Sequence, residues 1–145
     1  MENLLVSACL LGFDCKYNGG NNALSPEALE RLRRHYRLIP VCPETAGGLP
    51  VPREPSERRG ERVINRAGQD VTAEFQKGAE IAAALARRFK IRWALLKSNS
   101  PSCGSGSVYD GSFSGILTAG DGMASEYIKR EGVEVISDYS KIFQD

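Results

Sequence analysis

Ile91-Arg92-Trp93-Ala94-Leu95-Leu96 runs directly into Lys97-Ser98-Asn99-Ser100-Pro101-Ser102-Cys103-Gly104. The first six residues are branched or bulky with little polar alternation, the pattern of a short strand covered on both faces. The next eight are mostly small and polar. They stop the strand and form a loop whose backbone N–H groups can crowd around a ligand. That loop presents one cysteine. A single such loop would read as a surface turn with an incidental thiol, but two further cysteines hold the same kind of position. Cys9 follows the strand-like Leu4-Leu5-Val6-Ser7-Ala8, and Cys42 follows Leu38-Ile39-Pro40-Val41.

Helical patterns separate these strands. Ser25-Pro26-Glu27 supplies a cap, a first-turn proline and an acid at the positive end of a helix that buries Leu29, Leu32 and Tyr36. Thr72 is read as the cap of a second helix, with Phe75, Ala79, Ala82, Ala86 and Phe89 on one face. Gly78 interrupts it at a cost of roughly 1 kcal/mol against Ala, which points to close packing with a neighbour. A third helix is expected from about Gly122 to Glu131, with Met123, Tyr127 and Ile128 inward and Gly132 closing it. Val133 to Ile136 reads as a fourth strand, and Ser137 as the cap of a short last helix burying Ile142 and Phe143. Between Cys42 and Pro55, four prolines and two glycines predict a long loop without helix. Ser56 to Gly60 is strongly charged and expected to be flexible, Arg62 to Asn65 suggests a small strand, and a short hairpin is expected around Phe113 to Leu117.

Strands alternating with helices predict an α/β fold, a mostly parallel central sheet sandwiched by helices in a Rossmann-like three-layer arrangement. A chain of 145 residues fits one domain, read as 1–145. In such sheets ligands sit beyond the carboxyl ends of the strands, where Cys9, Cys42 and Cys103 can converge although far apart in sequence.

The formal net charge of +1 gives no electrostatic case for nucleic acid or an anionic membrane. Arg31, Arg33, Arg34 and Arg37 cluster on and just past one helix, and His35, the only histidine, sits among them as a solvated cation. No apolar stretch approaches the length of a membrane span, and Met1-Glu2-Asn3 does not resemble a signal peptide. A cytoplasmic location is therefore expected, where thiols stay reduced and four cysteines suggest metal or catalysis more than disulfides. No C-x-x-C occurs.

Three thiolates suit iron–sulfur, zinc or Cu(I). A [4Fe–4S] cluster usually takes four, so three would leave one iron open as a Lewis acid. Glu44 is then placed to act as general acid or base, although a solvated loop carboxylate would fit its position equally well. Ser98, Ser100 and Ser102 supply hydroxyls on the same wall. If Cys15 were a fourth ligand the site would be closed, a non-catalytic iron–sulfur or zinc module for redox sensing or electron transfer. A Cys103 persulfide sulfur carrier is a further alternative. Cys15 is taken here as a bystander.

Several blocks of this chain resemble the signature of the thiouracil desulfidase family, formerly a domain of unknown function. They are Ser7-Ala8-Cys9-Leu10-Leu11-Gly12, Cys15-Lys16-Tyr17-Asn18-Gly19, Cys42-Pro43-Glu44 through Gly48-Leu49-Pro50, Pro52-Arg53, Asp70-Val71-Thr72 with Phe75 and Gly78-Ala79, and Leu96-Lys97-Ser98 with Ser100 to Gly104. Lys16 and Asn18 stand where Arg and Asp are more usual. The resemblance implies the short stand-alone form and a non-redox desulfuration of a thiolated pyrimidine, 2-thiouracil to uracil with release of sulfide. It implies a [4Fe–4S] cluster on Cys9, Cys42 and Cys103, one that air would be expected to damage. It assigns Glu44 to water activation or proton shuttling and Ser100 to a hydrogen bond or proton relay. Tyr17, Asn18, Arg53 and Lys97 would be substrate-pocket residues, and the partner a small thiolated base or nucleoside. Oligomeric state is not legible in the sequence.

Overall fold

A computed structural model describes residues 1–143 of the chain. Strand β1 (Glu2–Ser7) leads through a 3-10 turn at Ala8–Leu11 and a long loop into helix α1 (Pro26–His35), then β2 (Tyr36–Val41) and the one-turn helix α2 (Pro43–Ala46). A hairpin, β3 (Ser56–Arg59) and β4 (Arg62–Asn65), precedes the long helix α3 (Thr72–Arg88) and β5 (Trp93–Leu95). A second hairpin, β6 (Ser107–Tyr109) and β7 (Leu117–Ala119), is followed by α4 (Met123–Lys129), β8 (Glu134–Ile136) and a 3-10 turn at Tyr139–Phe143.

The sheet has the order β2-β1-β5-β8, and every neighbouring pair is parallel. Alternate side chains of its central strands enter opposite cores, as the pleat requires. Leu5, Ala94 and Leu96 pack with the buried face of α3 and with Met123 and Ile128 of α4. Leu4, Val6 and Leu95 pack with Leu32 of α1 and, at the chain's end, with Ile142 and Phe143. The expected mostly parallel three-layer α/β architecture is what the chain adopts.

Local differences have physical causes. The stretch after Cys42 holds one helical turn where no helix was expected, because Pro43 occupies the first helical position, whose N–H needs no partner. Ser25 caps α1 as read, its Oγ accepting from Ala28 N at 3.2 Å. Thr72 does not cap α3: Asp70 Oδ1 accepts the Thr72 N–H, freeing Thr72 Oγ1 to accept from Val63 N in the hairpin. At the last turn Asp138, rather than Ser137, accepts from Ser140 N. The second hairpin flanks Phe113 instead of starting there.

Ser56 to Gly60 forms an ordered strand and turn instead of the flexible piece its charge suggested. The reason is Arg58, whose guanidinium is nearly buried and donates to Gly60 O, Asp121 O (both 2.8 Å) and Glu126 Oε1 (3.2 Å). Arg58→Ala is expected to lower unfolding free energy by about 2 kcal/mol in a denaturant titration, since the partly buried Asp121 carbonyl and Glu126 carboxylate lose their donor.

Helix α2 and helix α3 approach each other backbone to backbone at two glycines. A Cβ at Gly78 would overlap the Pro43 carbonyl, and one at Gly47 would overlap the Glu74 carbonyl. Gly78 thus explains its own cost in the helix: it lets the turn carrying Cys42 and Glu44 approach.

Candidate active site

The chain leaves β1 for β2 on one side and later returns to β5 on the other, so the crevice beyond the carboxyl ends of β1 and β5 lies where the strand order reverses. A cavity of about 520 Å³ opens there. Cys9 enters it from the 3-10 turn after β1, Cys42 from the residue after β2, and Cys103 from the loop after β5; Cys15 lines it too.

Each loop is held by short-range chemistry. Lys97 N donates to Ser7 Oγ at 2.9 Å, tying the loop start to the end of β1. Cys42 O accepts from Ala46 N and from Thr45 Oγ1, which fixes the α2 turn. Gly104 N donates to Ser100 O, and Met123 N and Ser125 N donate to Pro101 O and Ser102 O, so the start of α4 grips the Cys103 loop.

Cys103 is buried, while Cys9, Cys15 and Cys42 are half-buried around the cavity. Burial pushes Cys103 up to about 12, against the lowering effect of hydrogen bonds from Ser7 and Ser102. Burial, with the neighbouring Cys42 and Cys9, pushes Cys15 up to about 12 as well. Cys9 is raised by burial and partly offset by a hydrogen bond with Asn22. Such thiols become thiolates when a bound metal supplies positive charge and displaces their protons.

Beside them stands Glu44. Its Oε1 accepts from Arg53 Nε at 3.0 Å, and its Oε2 accepts from Ser102 Oγ at 2.8 Å. The pair is sheltered, with side chains 7% and 15% exposed for Arg53 and Glu44. Arg53 also donates from Nη2 to Cys15 O at 2.8 Å and from Nη1 to Pro50 O, joining the β1–α1 connection to the β2–β3 connection. Ser100 Oγ accepts from Ser102 N and Cys103 N and lies 3.0 Å from Ser102 Oγ. The Ser100 and Ser102 hydroxyls are hydrogen-bonded to each other, with either able to act as donor. A chain of hydroxyls therefore runs Ser100, Ser102, Glu44.

Cys9, Cys42, Cys103, Glu44, Ser100, Tyr17, Arg53 and Lys97 all line the cavity. Asn18 does not: its Oδ1 accepts from Gly20 N at 2.9 Å in an exposed turn, the local Asx bond that residue type favours. Ser98 reaches only Lys97 Nζ, at 3.4 Å, while Ser102 is the serine touching Glu44. Sequence reasoning missed Ser7, whose polar side chain at the end of an apolar strand was the available signal. It also missed Glu57, Arg66, Tyr109 and Phe113, which the two hairpins bring to the rim without any local signal.

Among the described residues, no three His, Cys, Asp or Glu side chains are grouped closely enough to share one metal ion. Also among them, no helix is long and apolar enough to cross a membrane. A soft, thiol-rich donor set spread around a cavity, with a paired carboxylate and a hydroxyl chain on one wall, suits a polynuclear cofactor and proton transfer at a bound small molecule.

The chain resembles the solved structure of the [4Fe-4S]-dependent thiouracil desulfidase TudS, with a TM-score of 0.89 and 47% identity over 94% of this chain and 90% of that one. It is 39% identical over 145 residues to YbbK of Bacillus subtilis (strain 168), an uncharacterized protein, across 93% of this chain and 95% of YbbK. The model of the 2-thiouracil desulfurase family matches residues 4–140, and the chain belongs to that family.

Proposed function

We propose that this protein is a [4Fe–4S]-dependent desulfidase that converts 2-thiouracil or a related thiolated pyrimidine, base or nucleoside, and water into the oxygen analogue and hydrogen sulfide. No electrons are gained or lost. The observation that carries the reading is the meeting of the Cys9, Cys42 and Cys103 loops with Glu44 around one cavity. The donor set fits the cofactor: iron–sulfur clusters are held by cysteine thiolates, and the turns and loops after β1, β2 and β5 bring three cysteines to one cavity. Cys15, whose carbonyl accepts from Arg53 Nη2 and from the Cys42 thiol, is left out of the ligand set because the family resemblance names the other three.

When bound to three cysteines, such a cluster supplies one iron with an open position, a soft Lewis acid for a thione sulfur. The protein's own groups do the rest. Arg53 fixes the Glu44 carboxylate through Oε1, so that Oε2 and its hydroxyl neighbour face the cavity. Glu44 takes a proton from the water that attacks the thione carbon and returns it toward the departing sulfur. Ser102 and Ser100 offer that proton a path along their hydroxyls. The sheltered wall keeps these hydrogen bonds in a low dielectric, where they are stronger. Lys97 and Tyr17 border the bound base.

The test is anaerobic reconstitution with iron and sulfide, followed by 2-thiouracil. Wild type and Cys15→Ser are expected to show iron–sulfur absorbance and to release uracil and sulfide one for one. Cys103→Ser is expected to load little cluster and make no uracil. A fully loaded wild type that leaves 2-thiouracil intact would remove the substrate assignment, and full loading of Cys103→Ser would remove the ligand set.

A further inference from the structure

The loop joining β6 to β7 carries an aromatic residue in a costly conformation. Phe113 has φ +57°, the left-handed region that non-glycine residues rarely adopt and that a bulky side chain adopts only when its surroundings force it. The force comes from the β3–β4 hairpin. Glu57 Oε1 accepts from both Gly111 N (2.9 Å) and Phe113 N (3.0 Å), and Arg59 Nε donates to Gly111 O at 2.8 Å.

Core packing does not explain this constraint, since Phe113 belongs to neither hydrophobic core. Its half-buried ring instead lines the cavity that holds the cysteines and Glu44. Arg66, another cavity residue, has its guanidinium 5.7 Å from the centroid of that ring. The thiol and carboxylate wall recognises sulfur and moves protons, and of the three aromatic residues lining the cavity Phe113 is less exposed than Tyr17 and Tyr109. A pyrimidine is a planar π system, and aromatic side chains recognise such rings by stacking, whatever their substituents.

We propose that Phe113 is the platform on which the pyrimidine ring stacks, with Glu57 as the positioning residue that holds it at the cavity. This inference rests on the reading of the site as a thiopyrimidine desulfidase. It makes the enzyme selective for flat conjugated heterocycles over acyclic thioamides.

The experiment is calorimetric titration of cluster-loaded protein with uracil, beside steady-state kinetics with 2-thiouracil, for wild type, Phe113→Ala, Phe113→Tyr and Glu57→Ala. Phe113→Ala is expected to bind uracil about tenfold or more weakly, in line with the loss of one base–aromatic stack. Its KM should rise by a similar factor, ahead of any fall in kcat. Phe113→Tyr, which keeps a stacking face, should restore most of the affinity. Glu57→Ala should weaken uracil binding in the same direction, with iron–sulfur absorbance equal to that of wild type. A wild type that turns over 2-thiouracil while Phe113→Ala keeps its uracil affinity and KM overturns the stacking role alone. A cluster-loaded wild type that neither binds uracil nor turns over 2-thiouracil overturns the stacking role together with the functional reading.

Discussion

Glu44→Gln is expected to lower kcat by roughly 10²- to 10⁴-fold, the usual worth of a positioned general acid or base, while iron–sulfur absorbance stays at the wild-type level. The substitution isolates proton transfer because the amide keeps the shape of the carboxylate. Its carbonyl oxygen can still accept from Arg53 Nε, and its NH2 can donate to Ser102 Oγ, reversing the direction of that bond. Glu44→Ala is a poorer probe: it strands the Arg53 guanidinium, only 7% exposed, without its anionic partner. The measurement is single-turnover conversion of 2-thiouracil by anaerobically loaded protein. Turnover within tenfold of wild type would assign the proton transfers to a group other than Glu44.

The second large effect lies away from the chemistry. Gly78→Ala removes a glycine from the interior of a 17-residue helix, a change that by propensity alone would stabilise the protein by about 1 kcal/mol. The fold reverses the sign. The new methyl would overlap the Pro43 carbonyl, a backbone atom that cannot rotate aside, so α2 must lift from α3. Overpacking of this kind costs about 1–3 kcal/mol. Pro43 lies between Cys42 and Glu44, so the same shift moves a thiol and the carboxylate together. A lower denaturant midpoint and fewer irons bound per chain are both expected from Gly78→Ala. Gly47→Ala, which would meet the Glu74 carbonyl, should act in the same direction. A raised midpoint in Gly78→Ala would show that α2 does not need the close approach.

Composition and periodicity alone determined the alternation of strands and helices, the buried stripe of α3, the cap of α1 at Ser25, and the placing of Cys9, Cys42 and Cys103 just past three strand ends. These are local quantities: an apolar run or a 3.6-residue stripe states what must be buried, whichever surface buries it. The same is true of Gly78, whose cost in a helix is readable before its neighbour is known. The family resemblance added the cofactor, the reaction and the choice of Glu44.

Only the tertiary structure decided which groups touch. Ser102 meets Glu44 across 58 residues of chain, and Arg53 reaches Cys15 across 38. No periodicity encodes such bonds, because each depends on how independently stable pieces dock. The one-turn helix at Pro43–Ala46 can sit close against α3 because α3 offers it a glycine there. Asn18 satisfied itself within its own turn, and so its polarity said nothing about the cavity. Phe113 carries no signal in its own stretch. It lies at the site because Glu57, from a separate hairpin, supplies the acceptor its backbone needs there.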